Sequence, residues 1–554
     1  MGIGGILAAY GWLVAPQLGK PLVYDDVNFA LAAEAIARTG LPHGNQGYLL
    51  HLYDQQEQWA LWHPPLYLYA LGVTMALFGP GETAARAPGV LCQLVAAGFA
   101  FDLARRMATS GCKDATSGAV AGVLAVALFL LCPLTVQAAL ILDIDNTLLM
   151  VLLTVYVWLV ARLADRWPPR TVVGFGLLYA VSLWTKLTTP FILLAGLAFT
   201  RLFQGIGVRG VLEALVVGAL GWVLFAASWL AYTGLTSAPL SYTFDVAYFE
   251  AIESGASTRE RFASLAAFSS GTAPAILWIG PFFCLLFVAT GLPRLHRLLR
   301  GRGLEPSDLA IVLGAAIYLA YMVKLAGNFP KYHAAMLPLW AAGSGALVAR
   351  SAGRPSWAQL AVAGVGLLAA GAWLGTRTPA LWTIQFTPPL VRLLIVVPGL
   401  VGLALVGLWA QLGRANPLRA APVALAVLTL AWSLALDVHQ RGFPGSTTYF
   451  YGRHGQIEAA RALDERLRPG ELYVGAKEVA WYSHDRNFVD QDSWHHVVWE
   501  LGKGFDGTWL GQDVRLLALE VGEPSFKAAY DGVLLPRYQV VGEFGNFMLF
   551  ERTT

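Results

Sequence analysis

Long apolar stretches recur along this chain, separated by short polar breaks. A helix needs roughly 17–25 apolar residues to cross the hydrocarbon core of a bilayer. Stretches of that kind fall near 3–19, 87–106, 118–137, 147–164, 171–185, 188–203, 211–232, 276–292, 308–325, 333–350, 357–376, 388–411 and 420–438. The pattern predicts a polytopic α-helical membrane protein with about 13 transmembrane helices. The first stretch lacks a basic leader and a small-residue cleavage site, so it reads as a retained span. One further apolar run, at 64–79, opens on Pro64-Pro65-Leu66. It reads as a juxtamembrane helix lying at the outer leaflet rather than crossing.

The basic residues set that choice and the orientation. Cytoplasmic loops of membrane proteins collect Lys and Arg. With the N-terminus inside and 64–79 not crossing, the inner loops hold Arg105, Arg106, Arg162, Arg201, Arg294, Arg297, Arg350 and Arg414 among others. The short outer loops hold only Lys186, Lys324, Lys331 and Arg377. A crossing at 64–79 would invert every later loop and destroy the bias. The odd number of spans then leaves the C-terminal end outside. Two outer loops are long: 20–86, with juxtamembrane helices, and 233–275, which reads as a lid.

The pattern changes near residue 439. Residues 1–438 form the transmembrane domain, and 439–554 have the mixed composition of a small extracytoplasmic α/β domain. Ile457–Leu467 has helical apolar spacing, whereas Glu471–Val479 and Val533–Phe550 read as strands, with Gly542-Glu543-Phe544-Gly545 as a hairpin turn.

Composition supports the membrane reading. The chain of 554 residues is 56% hydrophobic and only 13% charged, against about 25% charged in a soluble domain. A net charge of +3 by itself argues nothing about nucleic acid, and what matters is where the basic residues fall. The cysteines, Cys92, Cys112, Cys132 and Cys284, lie in or beside apolar stretches without metal-ligand spacing, and the polar C-terminal part has none. Neither a disulfide framework nor a zinc site is indicated.

Candidate chemistry concentrates at the outer boundary. Asp25-Asp26, in Val23-Tyr24-Asp25-Asp26-Val27-Asn28-Phe29, follows the first span. Paired carboxylates at a lipid boundary are costly unless used or satisfied. Phe29, Ala33, Ile36 and Ala37 follow at helical spacing, which predicts an amphipathic surface helix ended at Gly40-Leu41-Pro42. The ordinary role for either Asp is to cap that helix. His63, in Trp62-His63-Pro64-Pro65-Leu66-Tyr67, precedes a helix start, where a phosphate would be welcome. Leu142-Asp143-Ile144-Asp145-Asn146-Thr147 is a second acidic outer loop with no cation of its own. Carboxylates of this sort can take a proton, hold a divalent metal or orient an amine; they also cap helices. Lys186 interrupts an apolar hairpin, and Lys331 and Tyr332 sit at another outer boundary. Cations and phenols at that level suit a lipid-linked phosphate; their ordinary role is interfacial anchoring. Asp492, His495 and His496 in the C-terminal domain match no zinc spacing.

In this order the motifs resemble the GT-C superfamily of polyprenyl-phosphate-sugar-dependent glycosyltransferases. They are most similar to its family 39 branch, which holds protein O-mannosyltransferases and the bacterial lipid A aminoarabinose transferase. Tyr24-Asp25-Asp26 with Phe29 and Glu34 resembles the family's Asp-Glu loop, and His63-Pro64-Pro65-Leu66-Tyr67 its Lys-Pro-Pro-Leu-Tyr. Ala84-Ala85-Arg86-Ala87-Pro88, Asp145 with Leu148-Leu149, Trp184-Thr185-Lys186 and Lys331-Tyr332 with Leu337-Pro338 follow in sequence. The resemblance covers roughly residues 1–350. There are departures: Asp26 stands for the family's Glu, His63 for its Lys, and Trp62 for a Glu proposed as a metal ligand in the aminoarabinose enzyme.

The resemblance implies an inverting transfer of a sugar from a polyprenyl-phosphate donor to a lipid, glycan or protein acceptor, on the outer face of a bacterial cytoplasmic membrane. It implies Asp25 as catalytic base with Asp26 next in line. It implies His63, Arg86, Lys186, Lys331 and Tyr332 around the departing phosphate, with a divalent metal as an optional cofactor. Two other classes fit the spans: a flippase or transporter of a lipid-linked substrate, and a non-catalytic scaffold of an envelope-polymer assembly. The first lacks the expected inverted repeats with paired broken helices.

Overall fold

The structure is a computed structural model. It describes residues 2–23, 25–43, 59–109, 115–163, 167–248, 276, 278–325, 330–352, 417–441, 454–485, 487–491, 494, 514–522, 526, 534 and 537–553. The expected spans at 357–376 and 388–411, most of the expected lid, Tyr24, and the Asp492, His495 and His496 group lie outside these residues.

The elements in chain order are α1 (Ile3–Val14), α2 (Asp25–Thr39), α3 (Leu66–Phe78), α4 (Glu82–Thr109), α5 (Ala115–Leu130), α6 (Pro133–Ala138), α7 (Leu148–Arg162) and α8 (Pro169–Leu183). They continue with α9 (Pro190–Arg201), α10 (Val208–Thr236), α11 (Pro281–Leu299), α12 (Leu309–Leu325), α13 (Leu337–Ala352) and α14 (Pro417–Arg441). The polar end adds α15 (Gln456–Asp464), β1 (Tyr473–Gly475), α16 (Lys477–Tyr482), β2 (Phe488–Asp490), β3 (Leu516–Glu520), β4 (Tyr538–Phe544) and β5 (Phe547–Arg552). Among the described residues, four helices are long and apolar enough to cross a membrane, within α4, α10, α11 and α14, and several shorter apolar helices accompany them. The protein is therefore multi-pass.

By its internal contacts the chain divides into two compact units. One comprises Met1–Gln17, Pro88–Ala231 and Thr243–Phe443. Its helices pack α5 on α13, α12 on α9 and α13, and α11 on α14. The exposed apolar side chains of α10 and α11, such as Leu212, Leu215, Val223, Leu230, Val288 and Leu292, are what a lipid-facing surface requires.

The other unit comprises Leu18–Ala87, Tyr232–Tyr242 and Pro444–Thr554, so residues 18–87 fold with the C-terminal residues. Here α2 lies against α3 and α16. The approach of α2 to α3 is close at Gly72, where a Cβ would come within 2.5 Å of Ile36 Cγ2. This packing corrects the surface-helix expectation for α2. Phe29, Ala30, Leu31, Ala32 and Ala33 are all buried in succession, so the helix is covered around most of its circumference rather than along one stripe.

The C-terminal sheet has the order β2-β1-β3-β5-β4. β1 runs parallel to β2 and β3, and β5 is antiparallel to β3 and β4. Leu472, Val474, Val489, Trp494, Leu517, Leu519, Leu534 and Phe550 form its core. Two expectations need correction. The predicted strand at Glu471–Val479 is strand only over Tyr473–Gly475; α16 then takes over. The hairpin turns at Gly545-Asn546, where Gly545 has φ +59°, and not at Gly542. Gly542 instead sits at an irregularity of the β4–β5 register, a usual place for a strand glycine.

Candidate active site

The paired acids open α2. Both Asp25 and Asp26 lie in its first turn, where the positive end of the helix dipole favours carboxylates. The Asp26 amide closes that turn on the Val23 carbonyl at 3.2 Å. The two side chains differ: Asp26 is fully buried, whereas Asp25 is only half-buried. Burying a carboxylate demands a counter-charge, and Arg86 from α4 supplies it. Asp26 is the foremost of Arg86's favourable electrostatic partners, ahead of Tyr482 and Glu82.

Arg86 has further work. It is fully buried and donates from Nη1 to the carbonyls of Leu18 (2.8 Å) and Lys20 (2.6 Å), and from Nη2 to that of Pro21 (3.2 Å). A guanidinium carries five donors in a fixed fork, and these bonds direct both terminal nitrogens at the chain leading into α2. The sequence reading sets Arg86 beside a phosphate; in the structure it stabilises the backbone before the acids and the charge of Asp26.

His63 stands before α3 and is half-buried. Pro65 is the N-cap residue of α3, so the Pro pair ends where the helix begins. Phe29 of α2 ties this segment to the acid helix: its ring meets Trp62 edge-on at 5.7 Å and Tyr67 at 5.5 Å. Edge-to-face contacts of this kind add to apolar burial. Asp25, Asp26, His63 and Arg86 thus belong to one unit.

The second acidic loop and the lysines belong to the other. The loop between α6 and α7 is fixed by its own polar groups. Asn146 Nδ2 donates to Ala138 O (2.7 Å) and Ile141 O (3.2 Å), and Thr147 Oγ1 donates to Asp143 O (2.5 Å). Asp145 forms a buried ion pair with Lys186 and also accepts from Thr189 Oγ1 at 3.4 Å. Asp143 pairs with Lys331 at 2.8 Å, with side-chain exposure of 8% and 3%. Lys186 and Lys331 each stand 5.2 Å from the ring centroid of Tyr332. Burial works against the charge of Asp143, but Lys331 and Lys186 outweigh it and hold the carboxyl below its ordinary value.

Two acids, two lysines and one phenol predicted separately are therefore one neutral cluster. The pairing had no local signal, because Asp145 and Lys186 are 41 residues apart in the chain. Sequence reading also missed Tyr482 and Glu82, the other electrostatic partners of Arg86. Nothing in an ordinary Tyr at the end of a short helix announces that role. Among the described residues, His, Cys, Asp and Glu side chains do not gather in threes as a bound metal ion would require.

Comparison with known proteins agrees with the motifs. Residues 62–232 match the family model of dolichyl-phosphate-mannose-protein mannosyltransferase. No curated protein matches the chain in sequence. Among solved structures, the chain is similar to ArnT from Cupriavidus metallidurans bound to undecaprenyl phosphate, at TM-score 0.61 and 17% identity, covering 100% of this chain and 98% of that one. The apo form of the same protein aligns at TM-score 0.58 and 18% identity, over 99% and 97% of the two chains. The oligosaccharyltransferase AglB from Archaeoglobus fulgidus aligns at TM-score 0.49 and 12% identity, over 99% and 74%. The resemblance to GT-C glycosyltransferases, read first from six short motifs, thus holds in a family-model match and in the fold of the whole chain. The protein is a membrane protein of glycosyltransferase type.

Proposed function

We propose that the protein is an inverting glycosyltransferase that moves a sugar from a polyprenyl-phosphate donor to a lipid, glycan or protein acceptor. The transfer takes place on the outer face of a bacterial cytoplasmic membrane, with the C-terminal domain on that side. The observation that carries this reading is the division of labour at the start of α2. Asp26 is buried against the charge of Arg86, and Asp25 beside it keeps part of its surface open. In this reading Asp26 serves the structure, and Asp25, half-buried, meets the substrate.

In the proposed step an acceptor hydroxyl attacks the anomeric carbon as Asp25 takes its proton. The bond from that carbon to the phosphate oxygen breaks, and polyprenyl phosphate leaves with the electron pair. The leaving group already spreads its charge, so the protein's share is positioning and electrostatics. His63, at a helix start and half-buried, suits the phosphate. The undecaprenyl phosphate bound to ArnT supports a lipid-linked donor of this class.

The test supplies purified protein with a radiolabelled polyprenyl-phosphate sugar and a membrane extract. Released polyprenyl phosphate and a labelled acceptor are the expected result. A donor pool that is never consumed, across several sugars, would sink the enzyme reading.

A further inference from the structure

The C-terminal residues grip the chain just before the acid pair at one residue, Leu22. Leu22 lies three residues before Asp25, and its side chain is fully buried. Its amide donates to the Tyr482 hydroxyl at 2.8 Å. Its carbonyl accepts from Gln456 Nε2 at 3.5 Å, and Gln456 is itself buried. Tyr482 ends α16 and Gln456 opens α15, so two elements of the C-terminal part grip both polar groups of one residue in the first outer loop. The next residue, Val23, supplies the carbonyl that closes the first turn of α2 on Asp26. Just upstream, Arg86 holds the carbonyls of Leu18, Lys20 and Pro21. Five of the six carbonyls of segment 18–23, and the Leu22 amide, are thus held, and the direction of this segment sets the direction of the helix that carries the acids. Burial pushes the Tyr482 phenol up, so the hydroxyl stays protonated and neutral at any working pH. A neutral hydroxyl can take the Leu22 amide as acceptor without adding charge beside Asp26.

We propose that Tyr482 and Gln456 are positioning residues: through Leu22 the C-terminal domain fixes the first turn of α2 and thereby aims Asp25. This rests on the glycosyltransferase reading and gives the C-terminal domain a part in it. Neither residue touches substrate. A misaimed base lowers the rate of the chemical step and leaves donor binding in place, so the signature is a loss in kcat without a rise in KM.

The experiment uses the full chain in detergent. Tyr482→Phe removes the acceptor for Leu22 and keeps the ring. Release of polyprenyl phosphate should show kcat falling about tenfold with donor KM unchanged, the scale of one hydrogen bond. Hydrogen exchange over residues 18–23 should speed up while that of β3 stays slow. Tyr473→Phe is the control: its hydroxyl donates to the Asp485 carbonyl at 3.2 Å inside the domain, and its loss should leave kcat alone. Gln456→Leu, a second variant should Tyr482→Phe fail to fold, should act in the same direction with a smaller change. Wild-type kcat in both variants, or wild-type exchange at 18–23, overturns the proposal. If wild type consumes no donor, the enzyme reading falls with the aiming role, and exchange at 18–23 still decides whether the grip on Leu22 exists.

Discussion

Two acid pairs stand in this molecule, and their surroundings differ in kind. At Asp143 and Asp145 every charge is answered: each carboxylate has its lysine, both are buried, and Tyr332 offers its ring to both cations. At Asp25 and Asp26 the two acids differ: Asp26 is fully buried against the charge of Arg86, and Asp25 is half-buried. A site that must take a proton needs a carboxylate that solvent or substrate can reach, as Asp25 is. A site that must hold a loop needs charges that cancel, as at Asp143 and Asp145. Proximity of acids alone does not separate the two pairs; the burial and the ion pairing of each carboxylate do.

The largest effect that would sharpen this contrast is on rate. Asp25→Asn should lower transfer by about 10²–10⁴-fold, the usual share of a general base. Its unfolding temperature should hardly move, because a partly exposed residue tolerates such a change within about 0.5 kcal/mol. An Asn variant with wild-type transfer would remove Asp25 from the mechanism. Asp145→Asn should do the opposite. Breaking a buried pair costs about 3–5 kcal/mol, because the remaining charge is left without compensation. Thermal unfolding in detergent measures it, and Asp145→Asn combined with Lys186→Met should recover much of the loss. Failure to recover would mean that the two residues do not act as a pair. Asp26→Asn should fall between these, since Arg86 loses a partner yet keeps its three carbonyls.

The sequence disclosed those parts of the molecule that obey a period. The expected span at 147–164 is α7 over Leu148–Arg162, and the expected helix near Ile457 is α15. Apolar runs and amphipathic spacing are local, so they survive without knowledge of the fold. The acid motif was local as well, and α2 does begin at Asp25. What stayed hidden depends on chain crossings. Asp143 finds Lys331 across most of the transmembrane sequence, and Leu22 meets Tyr482 from the far end of the chain. The α2 surface was misjudged for the same reason, since alanines at 30, 32 and 33 leave no stripe to show that α3 and α16 cover them. Gly542 misled because a glycine in a strand marks either a turn or a register irregularity, and the register chooses.

The smallest expected effect concerns acid stability, and it distinguishes the neutral cluster by its own titration. Asp143 sits below its ordinary carboxylate value because the pull of Lys331 and Lys186 exceeds the burial penalty. A carboxylate depressed on folding adds stability that is fully present above its unfolded value, about 3.9. That stability is lost only as pH falls through the lower, folded value. Between pH 7 and 5 the unfolding temperature should therefore gain or lose nothing from Asp143, and the decline should set in below about pH 4. Lys331→Met removes the first of the two cations that depress the carboxyl while burial remains. The folded value should rise toward the unfolded one, so the drop in unfolding temperature on acidification below about pH 4 should be smaller than in wild type. An acid loss of wild-type size would mean that Asp143 draws its charge stability from some other group than Lys331, and the contrast between the two acid pairs would then lose half its basis.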